Sequence, residues 1–413
     1  MVTDGDLPAL SVTSRRADPF PSLLAVVDPR RPLVFLRRGE GIAGLGEALR
    51  LEFRGPDRIA EAAEVWRRVA AAARIDDDVR VSGSGLVAFG AFAFADDSER
   101  ASVLIVPRVI VGRRDGACWV TRIDGATDDP TPTPLGPEYR VDLGPGALDA
   151  DGFRAAVSSA VDRILAGRLD KVVIARDLVG RLPDGVDLRR VLGELALGYP
   201  DTWTFAIDGL LGSSPETLVR VRGGDVTARV LAGSHARGAD PVADEAAALD
   251  LATSTKDLDE HRFAVESVLA ALRAHSGGVA ASELPFTLKL PNLWHLASDV
   301  HGALSDRSTS LDLVAALHPT AAVAGTPTPA ALAAIRELEP FDRGRYGGPV
   351  GWVDTAGDGT WAIALRSAEV TADGTITAYA GAGIVGESDP DRELAETKLK
   401  FRPILEALAE KAD

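Results

Sequence analysis

Residues 380–400, AGAGIVGESDPDRELAETKLK, constrain this chain more than any other stretch. They set a glycine turn, a helix start and a carboxylate-bearing helical face in direct succession. Asp389 stands as an N-cap with Pro390 at the first helical position, so the spacing predicts a helix that begins there and turns its N–H groups back toward Gly381 and Gly383. Glu393, Glu396 and Lys400 follow at i, i+3 and i+7 and share one face. Two carboxylates beside a lysine suit a hard cation together with an anionic substrate group. Taken alone, the same face reads equally well as a solvated salt-bridging surface. Gly381, Gly383 and Gly386 also spell G-x-G-x-x-G after a strand-like run, residues 375–379. A dinucleotide site needs a further strand ending in an acidic residue; the chain finishes instead in a charged tail, so that reading is rejected.

A length of 413 residues allows two to three domains or one large α/β unit. The net charge of −16 argues against nucleic acid, which needs a concentrated basic surface, so any anionic ligand must be attracted locally. No run is long and apolar enough to span a bilayer. The start, MVTDGDLPAL, lacks a basic and apolar leader, and Cys118 has no cysteine to pair with. A reducing cytoplasm is the expected compartment, and thiolate metal clusters are excluded.

Along the chain, residues 32–36 and 103–111 read as strands and residues 58–73 as a helix. The Pro/Thr/Asp-rich segment 124–137 is the one candidate linker or long loop. Beyond it helices are expected over 152–166 and 188–197, and a long helical region over 244–275, its apolar positions interleaved with charges. Strands are expected over 171–178, 203–207, 217–222, 347–353, 361–370 and 375–379. Pro403 should kink or split the last helix.

Several residues in these elements could carry chemistry. Lys171 shares a strand face with Val173 and Ala175; burial there disfavours the ammonium form and would make a general base, although most strand-edge lysines reach solvent. Glu216, in Ser-Ser-Pro-Glu-Thr-Leu, sits in a turn where an apolar pocket would keep its proton for general-acid work, the plainer reading being a cap on nearby amides. Glu260 could join Glu396 around one ion. Magnesium fits, because the donors are oxygens and the histidines have no ligand spacing. Arg366 follows an apolar strand and could grip a carboxylate or form a structural ion pair. His295 reads first as a core histidine donating to a carbonyl, and second as part of the site.

The order and wording of the motifs resemble the chorismate-utilising enzymes, the family of isochorismate, salicylate, anthranilate and aminodeoxychorismate synthases. Those motifs are Lys171-Val-Val-Ile-Ala-Arg176, Ser214-Pro-Glu-Thr-Leu218, Leu231-Ala-Gly-Ser234, Ser254-Thr-Lys-Asp257 with Glu260-His261, Leu293-Trp-His-Leu296, Leu317-His-Pro-Thr320, the run from Arg343 through Tyr346 to Trp352, and Ala380-Gly-Ala-Gly-Ile-Val385 with Glu393 and Glu396-Thr397. The match runs from Lys171 to Lys400; the N-terminal part matches more faintly, through Gly85-Leu-Val-Ala-Phe-Gly90 and Ile105-Val-Pro107. Two segments depart from the usual wording, Ser234-His-Ala-Arg-Gly and Ala324-Gly-Thr-Pro, and leave loop shape around the substrate open.

The resemblance implies an α/β (α+β) fold like anthranilate synthase component I, a single large domain with facing β-sheets and outer helices. Residues 1–145 would form its more variable part and 146–413 the catalytic core, the 124–137 segment becoming a surface loop. It implies Lys171 as general base and Glu216 as general acid. Glu260 and Glu396 would hold Mg²⁺, with Glu393 in or just behind that shell. Gly233, His295, Tyr346, Arg366, Gly383 and Lys400 would lie against chorismate. Water-using members resemble this chain at Lys171, and residues 293–296 and 317–320 look more like isochorismate synthases than salicylate synthases. The expected activity is therefore magnesium-dependent conversion of chorismate to isochorismate, by a monomer without a glutaminase subunit, nucleic acid or membrane. A salicylate synthase that goes on to eliminate pyruvate, and a non-catalytic chorismate- or partner-binding subunit, stay as alternatives.

Overall fold

The alternating β-branched and aromatic runs form strands, and they form them in two different sheets. In the computed structural model, which describes residues 7–409, one sheet has 13 strands and the other 10. Each sheet draws on both ends of the chain. Leu33–Arg37 and Val109–Arg114 lie in the larger sheet with Lys171–Arg181 and Thr375–Ile384, while Val87–Ala91 and Ser102–Val106 lie in the smaller with Thr217–Arg222 and Pro349–Asp354. The coil of residues 124–137 is thus no boundary between independent halves. It is fastened to the second half, Arg189 donating to the carbonyl of Pro134 at 2.8 Å and Asp187 accepting the N–H of Gly136 at 2.8 Å.

The sheets pack face to face through Phe35, Ile42, Ile110 and Phe205 of the larger against Phe89, Ile105, Val350 and Trp352 of the smaller. Helices cover the outer faces. Arg189–Gly198 and Pro390–Leu408 bury Val191, Leu195, Phe401 and Ile404 on the larger sheet, where they meet Val34, Leu36, Ala206 and Leu211. Arg58–Ala72, Thr255–Leu272 and Ser310–Leu317 do the same for the smaller, around Leu51, Val219, Val226 and Val300. In Arg58–Ala72 the buried Ile59, Ala62, Ala63, Trp66 and Val69 recur at three- and four-residue steps, the stripe a helix needs to cover a sheet. Trp66 is 2% exposed and gives its indole N–H to the Asp354 carbonyl, so replacing it with alanine would cost roughly 3–5 kcal/mol.

The structure divides three elements that the sequence pattern runs together. The 244–275 region is two helices, Pro241–Thr253 and Thr255–Leu272, parted at Ser254, whose extended backbone (ψ 114°) and hydroxyl cap the second. Residues 103–111 split at Pro107, which has no N–H to give a ladder, into strands of different sheets. Residues 361–370 split in the same way, into Gly359–Ile363 of the smaller sheet and Ser367–Val370 of the larger.

Two further expectations change. Gly381 and Gly383 are not a turn; the strand continues through them to Ile384, pairing Gly381 with Ala175 and Gly383 with Val173. Pro403 does not split the last helix. The Leu399 carbonyl, which a helical N–H at 403 would have engaged, accepts the Asn292 side-chain amide at 2.8 Å instead.

Candidate active site

Two short crossovers between the sheets stand side by side, and each carries one ionisable side chain into a common cavity. The chain leaves the larger sheet at Leu210–Ser214 and enters the smaller at Thr217–Arg222, with Glu216 in the step between. It returns from Gly359–Ile363 to Ser367–Val370 with Arg366 in the step, at φ 49° in the left-handed region. The crossovers are tied by the Ser213 N–H on the Arg366 carbonyl (3.1 Å) and the Ile363 N–H on the Glu216 carbonyl (3.3 Å). The positive φ at a non-glycine residue is strain that the surrounding sheet holds in place.

Glu216 is 4% exposed. Burial pushes its carboxyl up to about 8, against the opposing pull of the Leu231 N–H and the charges of Arg366, Lys171 and Lys400. It therefore keeps its proton at neutral pH. Arg366 is buried too, and burial lowers its pKa. It has no carboxylate in ion-pair contact among the described residues, although Glu396 and Glu216 are near enough to feel its charge. Among the described residues the one hydrogen bond of its side chain runs to Nε2 of His295 at 2.9 Å.

A guanidinium can only donate, so His295 Nε2 is the acceptor and Nδ1 carries the proton, facing Ser234 Oγ at 2.9 Å and the Gly233 carbonyl at 3.3 Å. Burial first, then the charges of Arg366 and Lys400, holds the imidazole neutral, well below its ordinary pKa. His295 thus makes the carbonyl bond of a core histidine and orients Arg366 as well. Ser234 and His295 face each other because the strand Asp225–Ala236 shifts register between Leu231 and Ser234, where Gly233 takes φ 80°. A Cβ on Gly233 would stand 3.1 Å from the Asp257 Cβ.

The remaining charges come from a strand pair and two helices. Lys171 is 1% exposed, its Nζ 2.9 Å from Glu260 Oε1 on the Thr255–Leu272 helix. Burial raises the Glu260 pKa, yet the charges of Lys171, Lys400 and Lys256 outweigh it and keep this carboxylate below its ordinary value. Gly383 is the floor beneath this pair: a Cβ there would lie 2.6 Å from Glu260 Oε1 and 3.1 Å from Lys171 Cε. The lysine strand is held by a buried ion pair, Arg343 with Glu339 at 2.5 Å; Arg343 donates to the Val173 carbonyl and Glu339 accepts the Ala175 N–H.

Lys400 reaches Glu396 at 2.5 Å and donates to the Gly381 carbonyl at 2.9 Å. Asp389 caps the helix by accepting the N–H groups of Asp391 and Arg392, so the helix meets the cavity with the side chains of Glu396 and Lys400 rather than with its N-terminus. Glu393 is off the cavity lining. It is 3% exposed and paired with Lys256 at 3.2 Å, its pKa raised by burial and then by Glu396. Tyr346 lines the cavity, stacked on Tyr379 (5.3 Å, 20°), with burial raising its pKa.

Gly233, His295, Tyr346, Arg366, Gly383, Lys400, Lys171's partner Glu260, Glu396 and Glu216 are thereby brought to one place. Glu260 and Glu396 are hard oxygen donors whose charges are balanced by lysines, a donor set that fits a divalent cation keeping its other positions for water and substrate oxygens. Among the described residues no group of three or more His, Cys, Asp or Glu is gathered in metal-holding geometry. Sequence reasoning passed over Ser234, Lys256, Asp257 and the Arg343–Glu339 pair. Ser234, Lys256 and Asp257 lie inside motifs already singled out, but nothing in their spacing shows which residue each would touch.

A family described as Chorismate binding enzyme matches residues 4–133 and 138–409. The chain is similar to isochorismate synthase DhbC of Bacillus subtilis (strain 168), 42% identical over 272 residues, 63% of this chain and 68% of that protein. It is also similar to isochorismate synthase MenF of the same organism, 30% identical over 401 residues, 89% of this chain and 85% of the relative. A crystal structure of DhbC from Bacillus anthracis superposes with a TM-score of 0.78 at 33% identity, covering 94% of this chain and 98% of the other. No helix among the described residues is long and apolar enough to cross a membrane.

Proposed function

The chain belongs to the chorismate-binding enzyme family, and from that premise we propose that it converts chorismate to isochorismate. The observation that supports this reading best is a cavity lined by a proton-bearing Glu216 and by an Arg366 with no acidic partner among the described residues, with buried Lys171 set just behind the lining, ion-paired to Glu260. An acid, a base and a carboxylate anchor are what exchange of a ring hydroxyl requires.

Arg366, held by His295, presents its free N–H groups to one substrate carboxylate, and Lys400 adds a second cation. The Tyr346 hydroxyl and the backbone at Gly233 and Gly383 complete the walls. Lys171 takes a proton from water as the water oxygen bonds to ring C2. Glu216 gives its proton to the hydroxyl on C4, which leaves as water while the ring double bonds shift. One water enters and one departs, so the product is an isomer of the substrate. Mg²⁺, held by Glu260 and Glu396 with Glu393 behind, would neutralise the ring carboxylate when bound. Residues 146–413 supply all of these side chains, and 1–145 complete the two sheets as the variable part of one domain.

The test is to incubate the purified protein with chorismate and Mg²⁺, with and without chelator, and to separate the products while assaying pyruvate. Isochorismate without pyruvate, lost on chelation, is the expected result. Salicylate with matching pyruvate would move the protein to the lyase branch, and unchanged chorismate would overturn the enzymatic reading.

A further inference from the structure

Where the two sheets meet at one end, a pocket of about 300 Å³ opens among residues that the catalytic reading leaves unused. The larger sheet supplies Arg37, Arg114 and Trp203, and the smaller supplies Arg220 and Trp352. Arg37 lies 5.3 Å from the ring centre of Trp203, and Arg114 lies 5.4 Å from that of Trp352. Phe35 backs Trp203 in a stacked pair at 4.9 Å. A guanidinium laid on an indole has its plane fixed and its in-plane N–H groups left for other partners.

Among the described residues only Arg114 has such a partner, giving one N–H to the Ser82 carbonyl. None of Arg37, Arg114 and Arg220 makes an ion pair among the described residues, and the Arg37 Nε is buried with no hydrogen-bond acceptor. The acids nearby have other partners: Asp201, off the lining, pairs with Arg38 at 2.6 Å, and of the two acids that line the pocket Asp115 lies nearest to Arg222 at 3.9 Å and Glu40 accepts the Asp115 N–H at 3.0 Å. Each of the three guanidiniums is pushed down first by burial, then by its arginine neighbours: Arg114 by Arg220 and Arg222, Arg220 by Arg222, and Arg37 by Arg229, Arg38 and Arg220. Acids are abundant in a chain of net charge −16, yet this pocket is lined by five arginines against two acids, Glu40 and Asp115, so its basic balance does not reflect scarcity of acids. Half-buried like charges repel, and an anion with several acceptors offsets the repulsion at all three at once.

We propose that this pocket binds a phosphate-bearing anion of at least two charges. The volume exceeds what a lone carboxylate needs and lies at the small end of ligand sites. Three rigid forks from two sheets match the several oxygens of a phosphate group.

Inorganic pyrophosphate, titrated without divalent cation at low ionic strength into the full-length chain, is the probe, followed by heat and by tryptophan fluorescence. Saturable binding is expected, weakened roughly tenfold or more by Arg220→Gln or Arg37→Gln and kept by Lys400→Met in the catalytic cavity. Without ligand, Arg220→Gln should melt no lower than the parent, since it relieves repulsion, and pyrophosphate should raise the melting temperature of the parent but not of the variant. Absence of saturable binding, equal binding in both arginine variants, or binding lost in Lys400→Met instead would overturn the proposal.

Discussion

The candidate catalytic cavity is built from two sets of residues that treat charge in opposite ways. The strand and helix set pairs every charge it has: Lys171 with Glu260, Lys400 with Glu396, and Lys256 with Glu393 behind them. The crossover set pairs none: Glu216 stays neutral through burial, and Arg366 has only a neutral histidine for a partner. Glu260, held below its ordinary pKa by the lysine charges, is ready for a cation, whereas an unpaired arginine is ready for an anion. A neutral acid beside that arginine is a proton donor in a place that already attracts a carboxylate.

The sharpest way to break this contrast is Lys171→Ala, which should abolish hydration while leaving chorismate binding largely intact by calorimetry; unchanged turnover would remove Lys171 from the mechanism. Glu216→Gln should lower kcat by roughly 10²–10⁴-fold with little change in KM. In the parent, kcat should fall as pH rises through about 8, and that limb should disappear in the variant. The same group fixes a sign for stability. Glu216 in the folded chain holds its proton to about pH 8, whereas the unfolded chain loses it in the ordinary carboxyl range. Its contribution is therefore fully present below that range and is lost as pH rises through about 8. Urea denaturation across pH should show a shallower decline in Glu216→Gln.

Arg366→Lys keeps the charge but not the fork, and should raise KM by roughly ten- to a hundredfold with a smaller change in kcat. The smallest effect is expected from Glu393→Gln, which loosens the link to half-exposed Lys256. Its magnesium affinity, read by metal titration, should fall within about fivefold, well short of the loss in Glu396→Gln. Equal losses in the two variants would place Glu393 among the metal ligands.

Much of the site was legible because each of its residues sits in a local pattern with its own physical meaning. Lys171 opens an apolar strand, Glu216 follows a proline turn, and Asp389-Pro390 starts a helix whose later turns carry Glu396 and Lys400. The glycines of 381–386 were legible as special but not for the right reason. Gly383 leaves room for Glu260 and Lys171, and Gly381 for the Tyr346 hydroxyl, which depends on side chains remote in sequence. The single helix expected over 244–275 failed for a local reason, since the hydroxyl of Ser254 competes for backbone N–H groups and starts a new helix where periodicity alone sees none.

By itself the sequence determined where elements begin and which faces are apolar, because capping, proline chemistry and side-chain period act over a few residues. It also carried the ordered motifs that mark the family. Only the tertiary structure decided that residues 361–370 change sheets at Arg366 and that Glu216 sits in the neighbouring crossover. It alone placed His295 against Arg366 and, among the described residues, left three arginines of one pocket without acidic partners. Burial and charge pairing are properties of what surrounds a residue, and those surroundings exist only once distant strands have been laid side by side.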